Sequence, residues 1–249
     1  GNDVQLNAVV TGSGTLTIEQ AGDATTVGVG ASAVGTLNLS AADLANIADG
    51  WSNIIIGKST GTGAVDLRAI TWNDNLTVRS GTGVITVNGT QTMGANNLTL
   101  QTDADIVLTG NFTGTGTLNI SQTSAATTMG FGGGAGTLNF SAAEVGRITN
   151  GWTDIILGRT DGSGQINMSA LTWNDNLTVR SGAGLINVTG VQTMGANNLS
   201  LVTDSDVTLG IANALTGTGA LSVSQSSVGT TIGLNDTGTI NFTTTEVAR

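Results

Sequence analysis

Two pairs of closely spaced aspartates are the side chains of this sequence best suited to hold a metal ion. Asp103 and Asp105 lie two residues apart, and Asp204 and Asp206 repeat the pattern further along the chain. Calcium prefers oxygen ligands, so each pair is a candidate calcium site. Neither the EF-hand spacing nor a calcium-binding nonapeptide accompanies them, and aspartates also serve in turns and at strand edges. Calcium binding and a purely structural role are therefore both open.

A second candidate is the motif Trp-Asn-Asp-Asn, which occurs twice. It begins at Trp72 and at Trp173, and it places Asp74 and Asp175 two residues later. A tryptophan beside hydrogen-bonding side chains could stack on a sugar and bind it, which makes these four residues candidate glycan contacts. The same motif could instead fix a corner, with the ring over the apolar interior and the Asn and Asp in a turn.

The composition excludes most other chemistry. The 249 residues include no Cys and no His, which removes thiolate catalysis, disulfides, His-based triads and ordinary zinc sites. The 17 acidic and 7 basic residues give a net charge of −10, and the few bases form no cluster for phosphate. No apolar run is long enough to span a bilayer. We expect no nucleic-acid partner, no membrane insertion and no cofactor other than calcium.

The chain is built from a long internal repeat. Residues 70–100 return as residues 171–201 with 24 of 31 positions identical, an offset of 101 residues. Asp74 and Asp175 would then lie five predicted coils apart, roughly 24 Å, which is too far for a catalytic carboxylate pair. We therefore expect no enzymatic activity. The repeat predicts one domain over residues 1–249, made of repeat 1 (3–104), repeat 2 (105–205) and a partial repeat 3 (206–249).

A shorter period of about twenty residues lies inside the repeat. Segments such as TLTI at Thr15, NLTV at Asn75 and NLTL at Asn97 alternate polar and apolar residues, as half-buried strands do. Turns rich in Gly, Ser, Thr and Asn separate them, which predicts an all-β solenoid of about twelve coils and roughly 58 Å. The 38 glycines suit its corners, and the absence of proline suits strands paired on both edges.

Once per long repeat the pattern changes from strand to helix. Residues 40–47 (SAADLANI), residues 141–148 (SAAEVGRI) and residues 243–249 (TTTEVAR) place Ser or Thr three residues before an acid. This spacing is typical of a capping box and predicts a short helix of two turns. Asp43, Glu144 and Glu246 are accordingly given a structural role.

The outward positions of the twelve strands predict a single flat ladder rich in Thr and Asn. It is similar to the Thr-rich faces of ice-binding solenoids, although Ile55 and Ile156 interrupt it. The predicted ladder consists of Thr17, Asn38, Ile55, Thr77, Thr99, Asn119, Asn139, Ile156, Thr178, Ser200, Ser222 and Asn241.

Three segments carry a resemblance to a known family. Residues 35–47 (GTLNLSAADLANI), 50–67 (GWSNIIIGKSTGTGAVDL) and 97–110 (NLTLQTDADIVLTG) resemble repeats of giant bacterial exoproteins of the filamentous-haemagglutinin-like adhesin type. The resemblance extends over residues 3–249. It implies a right-handed parallel β-helix, export to the cell surface or the medium, and a rod that holds adhesive ends away from the cell.

These observations favour a structural stalk or shaft segment of a large repetitive surface or secreted protein. Its expected partners are neighbouring repeats of the same parent chain, together with cell-surface glycans or other cells. A calcium-assisted polysaccharide-binding module is the alternative, and an ice-binding solenoid is the third hypothesis. Unpaired coil ends are also expected to promote end-to-end association.

Overall fold

The chain folds almost entirely into short strands that pair in parallel. The computed structural model describes residues 3–235 and 237–247. These residues divide into two compact bodies. The N-terminal body holds residues 3–118 and 147–152, and the C-terminal body holds residues 119–146 and the described residues from 153 onwards.

The N-terminal body contains three parallel sheets. Its elements are β1 (Thr15–Ile18), β2 (Val27–Val29), β3 (Leu37–Leu39), α1 (Ala41–Ala45), β4 (Asn53–Ile56), β5 (Val65–Leu67), β6 (Ile70–Thr71), β7 (Leu76–Arg79), β8 (Ile85–Val87), β9 (Gln91–Thr92), β10 (Leu98–Gln101), β11 (Ile106–Leu108) and β12 (Phe112–Thr113). The strand orders of the three sheets are β1-β4-β7-β10, β11-β8-β5-β2-β3 and β12-β9-β6.

The C-terminal body repeats this architecture. It begins within β13 (Thr117–Ser121) and continues through β14 (Met129–Phe131), β15 (Leu138–Phe140), α2 (Ala142–Val145), β16 (Asp154–Arg159), β17 (Ile166–Met168), β18 (Leu171–Thr172), β19 (Leu177–Ser181), β20 (Ile186–Val188), β21 (Gln192–Gly195), β22 (Leu199–Thr203), β23 (Val207–Leu209), β24 (Leu215–Gly217), β25 (Leu221–Ser224), β26 (Ile232–Leu234), β27 (Ile240–Phe242) and α3 (Thr244–Val247). Its sheets have the orders β16-β19-β22-β25, β15-β14-β17-β20-β23, β18-β21-β24 and β26-β27.

Successive strands of the first sheet in each body stack in a constant register. Leu76 pairs with Leu98 in the N-terminal body. Leu177 pairs with Leu199 and Leu199 with Leu221 in the C-terminal body, at the same spacing along the chain. From β7 to β10 the chain passes once through each of the other two sheets, as β8 and β9. This circuit is the coil of a parallel β-helix, and the predicted all-β fold is confirmed.

Alternation of side chains builds the core inside each coil. In β7, Leu76 and Val78 are buried whereas Thr77 and Arg79 are half-buried. In β8, Ile85 and Val87 are fully buried. Full burial of such a side chain stabilises the fold by about 1.5–3 kcal/mol, so the inward row of each strand contributes to stability at every coil.

The predicted single ladder of outward Thr and Asn residues is wrong at three positions. Asn38 lies in β3, which pairs with β2 so that Asn38 stands opposite Gly28. Thr17 pairs directly with Ile55, with β2, β3 and α1 between them in the chain. The coil that carries α1 is therefore much longer than the predicted spacing of about twenty residues. The same local pairing removes Asn139 and Asn241 from the ladder, because they stand opposite Gly130 and Gly233.

Glycine explains why β3 folds back on β2. A Cβ built on Gly35 would lie 2.2 Å from the backbone nitrogen of Gly28, so the two segments can approach only without side chains. The Nδ2 of Asn38 then donates to the carbonyl of Gly35 at 2.7 Å. The close approach of the two backbones and this hydrogen bond hold β3 against β2, so β3 does not join the first sheet.

The helices are shorter than the predicted two turns. In α1, the Oγ of Ser40 accepts from the backbone nitrogen of Asp43 at 3.2 Å, and Asp43 accepts in return from the nitrogen of Ser40 at 2.9 Å. Ser141 and Glu144 form the same capping box at α2. The helix α1 ends early because Ile47 forms a parallel bridge with Val10, which needs extended backbone.

Candidate functional site

Both Trp-Asn-Asp-Asn motifs form buried corners at the entry to a strand of the first sheet. Trp72 lies between β6 and β7, and its side chain is 5% exposed. Its indole Nε1 donates to the Oε1 of Gln91 at 3.0 Å, while the Nε2 of Gln91 donates to two backbone carbonyls at 2.6 and 2.9 Å. Trp173 and Gln192 repeat the same hydrogen bond at 3.0 Å. Each corner is thus a closed hydrogen-bonded cluster.

This packing decides what the two indole rings can contact. Trp173 is 3% exposed, and its partner Gln192 is fully buried. Stacking on a sugar needs an open ring face, and neither Trp72 nor Trp173 presents one in this structure. The structural corner is therefore the arrangement found. Glycan contact at these positions stays a prediction for a binding experiment.

The carboxylates of the motif lie inside the same corners. Asp74 is 5% exposed, and its Oδ1 accepts a hydrogen bond from the backbone nitrogen of Gly50 at 2.9 Å. Gly50 has a φ of +119°, a conformation that favours glycine. Asp74 thereby fixes the turn that follows α1. Asp175 is likewise buried, at 4% exposure.

An asparagine ladder joins successive coils beside the corners. The Nδ2 of Asn75 donates to the carbonyl of Ser52 at 2.9 Å, and its Oδ1 accepts from the backbone nitrogen of Asn97 at 2.8 Å. Asn97 accepts in turn from the nitrogen of Thr117 at 2.8 Å. The signal available in the sequence is an Asn-Leu pair that recurs from one coil to the next. The C-terminal body builds the same ladder from Asn176, Asn198 and Ala220.

The aspartates proposed for calcium are hydrogen-bonded to neighbouring chain segments. The Oδ1 of Asp204 accepts from the backbone nitrogens of Ser226 and Ser227 at 2.9 and 2.8 Å and from the Oγ1 of Thr230 at 2.9 Å. Burial works to raise the pKa of Asp204, but hydrogen bonds from Ser227, Thr230 and Ser226 outweigh it, so this pKa lies below its ordinary value. Asp204 therefore anchors the turn after β25.

The other three aspartates are also engaged with backbone. Asp105 and Asp206 each accept at 3.0 Å from the backbone nitrogen of the following residue, and Asp206 also accepts from that of Asn241 at 2.9 Å. The backbone nitrogen of Asp103 donates to the carbonyl of Gly81 at 2.6 Å. Within residues 3–235 and 237–247, no group of three or more metal-binding side chains comes together. Calcium binding stays a prediction.

Four basic side chains pair with carboxylates, of which Asp66 is buried. A cation that already faces a carboxylate is a poor contact for a phosphate backbone, because the anion would have to displace it. The ion pairs are Lys58–Asp23 at 2.6 Å, Arg68–Asp66 at 2.9 Å, Arg79–Glu19 at 3.6 Å and Arg159–Asp161 at 2.5 Å.

Asp154 is a half-buried acid on the outward face of β16. Its Oδ2 accepts from the Oγ1 of Thr178 at 2.9 Å. Burial raises the pKa of Asp154 above its ordinary value of 3.8, against the opposing hydrogen bond from Thr178 and the charge of Arg180. Asn53 stands at the equivalent position of repeat 1, where its Nδ2 donates to Thr77 at 3.1 Å. The two repeats thus offer a natural Asp-to-Asn comparison.

We expect Asp154→Asn to stabilise the protein at neutral pH. Because folding raises this pKa, the stabilising contribution of Asp154 is complete below pH 3.8 and is lost as the pH rises through the raised pKa. The variant does not titrate, so it should unfold at higher urea than the parent at pH 7 and at the same urea near pH 3. Urea midpoints over this pH range measure the difference.

Asp161→Asn is the matched control, because folding lowers the pKa of Asp161 whereas it raises the pKa of Asp154. A hydrogen bond from Arg159 lowers the pKa of Asp161, so its contribution is present at neutral pH and lost as the pH falls. This exposed substitution should leave stability at pH 7 unchanged or slightly lower. A gain at pH 7 for both variants would show that removal of net negative charge, and not burial of Asp154, is responsible.

The parallel coils and their repeated buried corners define the chain as a β-helical repeat protein. Residues 59–151 and 160–246 match the model of a family described as hemagglutinin repeat. These segments cover more than half of the sequence, so the chain belongs to the hemagglutinin repeat family, and the predicted resemblance is confirmed. It is an adhesin-type repeat segment. No curated protein and no solved structure gave a match.

The described helices are all short. Among residues 3–235 and 237–247, none combines the length and the apolar character that crossing a bilayer requires.

Proposed function

We propose that this chain is a stalk segment of a large secreted or surface-exposed bacterial adhesin, which supplies length and stiffness. The observation that carries the proposal is the parallel ladder, whose register recurs at one spacing in both bodies. Three of the candidate ligand-site side chains also hold the coils together: Trp72 and Trp173 close corners, and Asp74 fixes a turn. The distinctive residues of this chain therefore help to hold its coils together.

The registers also set the length that each repeat would add. One long coil, from β1 to β4, and three shorter coils together make up the repeat. Four coils at about 4.8 Å would add roughly 19 Å per repeat, less than the roughly 24 Å predicted from five coils. The asparagine ladder would stiffen the array, because each amide links a coil to the next.

The remaining parts of the proposal follow from the family. Adhesin repeats act outside the cell, so we place this chain at the cell surface or in the medium, with neighbouring repeats as its first partners and cell-surface glycans as the targets of the whole protein. A chain without cysteine needs no oxidative folding after export. The ice-binding hypothesis loses support, because Asn38, Asn139 and Asn241 are absent from the ladder it requires.

Small-angle X-ray scattering tests the stalk. The protein should scatter as a thin rod with the cross-section of one β-helix, and a variant with one added copy of repeat 2 should be longer by roughly 19 Å with the same cross-section. A variant carrying the repeat-1 sequence in place of the added repeat-2 sequence is the control for composition. A compact scattering profile, or growth in cross-section, would contradict the proposal.

A further inference from the structure

Two Asn-Gly dipeptides occur in the chain, Asn88–Gly89 and Asn150–Gly151. An asparagine followed by glycine can deamidate without an enzyme, because no side chain shields the backbone nitrogen of the glycine. This nitrogen attacks the Cγ of the asparagine, a C–N bond forms, and the side-chain amide leaves as ammonia with the proton of the backbone nitrogen. Water then opens the succinimide to aspartate or isoaspartate. The fold decides which of the two dipeptides can bring these atoms together.

The first dipeptide is held between neighbouring coils. Asn88 is exposed, but its Nδ2 donates to the Oδ1 of Asp66 at 2.6 Å and its Oδ1 accepts from the Oγ1 of Thr109 at 3.2 Å. The backbone of Gly89 is confined as well, because a Cβ built there would lie 2.2 Å from the backbone nitrogen of Ala69. The nitrogen of Gly89 can therefore reach the Cγ of Asn88 only if both hydrogen bonds break and the packed coils part.

The second dipeptide lies in an exposed turn between α2 and β16. Asn150 and Gly151 are both exposed, and the side chain of Asn150 makes no hydrogen bond to residues 3–235 or 237–247. A turn outside the strands can open locally while the coils stay packed, so the nitrogen of Gly151 can reach the amide carbon in the folded protein. Repeat 1 has an exposed acid, Asp49, in the place of Asn150. The fold therefore accepts the carboxylate that deamidation would create.

We propose that Asn150 is a site of spontaneous deamidation in the folded protein, whereas Asn88 is protected by the coils. The modification adds one negative charge, and isoaspartate also adds one carbon to the main chain directly before Gly151. The next residue, Trp152, is 3% exposed, and a Cβ built on Gly114 would lie 2.8 Å from its Cη2. Isoaspartate therefore disturbs the turn that seats this buried indole against an earlier coil, whereas aspartate leaves the turn as Asp49 does in repeat 1.

Peptide mapping by mass spectrometry tests the proposal on the whole chain. The folded protein is incubated at mildly alkaline pH, then unfolded and digested with trypsin, which releases residues 148–159 with Asn150 and residues 80–147 with Asn88. Conversion of amide to acid should be about tenfold or more faster at Asn150 than at Asn88, because only Asn88 needs the coils to part. Incubation in urea is the control, since both dipeptides should then react at similar rates. Asn150→Gln should abolish the reaction in residues 148–159.

Two results would overturn the proposal. Equal conversion at Asn88 and Asn150 in the folded protein would show that the coils protect neither, and no conversion at Asn150 without urea would show that its turn does not open. Urea midpoints separate the two products. Asn150→Asp should unfold at the same urea concentration as the parent, whereas protein aged to isoaspartate should unfold at a lower one. An unchanged midpoint for the isoaspartate form would overturn the disturbance of Trp152.

Discussion

Replacing Trp72 with alanine is expected to lower the free energy of unfolding by about 3–5 kcal/mol. The indole is buried at 5% exposure, so its removal leaves a cavity between two coils. The substitution also removes the donor to Gln91, a fully buried amide whose Oε1 would then have no protein partner. Urea unfolding followed by circular dichroism measures the loss.

Two further variants show whether the corner is responsible. Trp173→Ala should lower the free energy of unfolding by a similar amount, because the indole of Trp173 donates to Gln192 at the same distance of 3.0 Å. Thr71→Ala, at the exposed neighbouring position, should change stability by about 0.5 kcal/mol at most. If Trp72→Ala were as mild as Thr71→Ala, the indole would not be structural, and a role in glycan contact would regain support.

Replacing Gly57 with alanine is the second change with a large expected effect. It should lower the free energy of unfolding by about 3 kcal/mol or more. Gly57 has a φ of +86°, which disfavours any residue with a Cβ, and a Cβ there would lie 2.1 Å from the carbonyl oxygen of Arg79. That oxygen belongs to the backbone of the adjoining coil, so relief requires the coils to part. The urea midpoint and the expressed soluble fraction report the effect.

Gly94→Ala separates strain from collision. Gly94 also has a positive φ, +55°, but a Cβ there would meet nothing within 4 Å, so only the conformational cost of about 1–2 kcal/mol applies. Gly158→Ala, with a φ of +84° and a contact of 2.2 Å to Arg180, should match Gly57→Ala. Equal losses at Gly57 and Gly94 would disprove the close approach of the coils.

The repeat and the alternation were enough to predict an all-β solenoid from the sequence. Leu76 and Val78 face inward because residues two apart share one face of a strand, and this periodicity is local. The capping residues Ser40 and Asp43 were equally visible, because the capping box is a contact between residues three apart. Properties decided within a few residues could therefore be predicted.

Pairing and side-chain direction could not be predicted in this way. Leu37–Leu39 alternates as clearly as Leu76–Arg79, yet it pairs with β2 because Gly35 allows backbone to approach Gly28 within the same coil. Alternation does not encode that approach. The burial of Trp72 likewise depends on Gln91, which is distant in the chain and whose amide is satisfied only inside the corner. These are contacts between coils, which the local pattern leaves open.

The long coil that carries α1 shows that the axial register does not depend on how many residues a coil contains. Leu16 stands opposite Ile54 as directly as Leu76 stands opposite Leu98, although the first of these coils is much the longer. A shift of one residue in the register would turn the apolar face of a strand outward. A segment such as β3 with α1 can be gained or lost as a whole without causing such a shift.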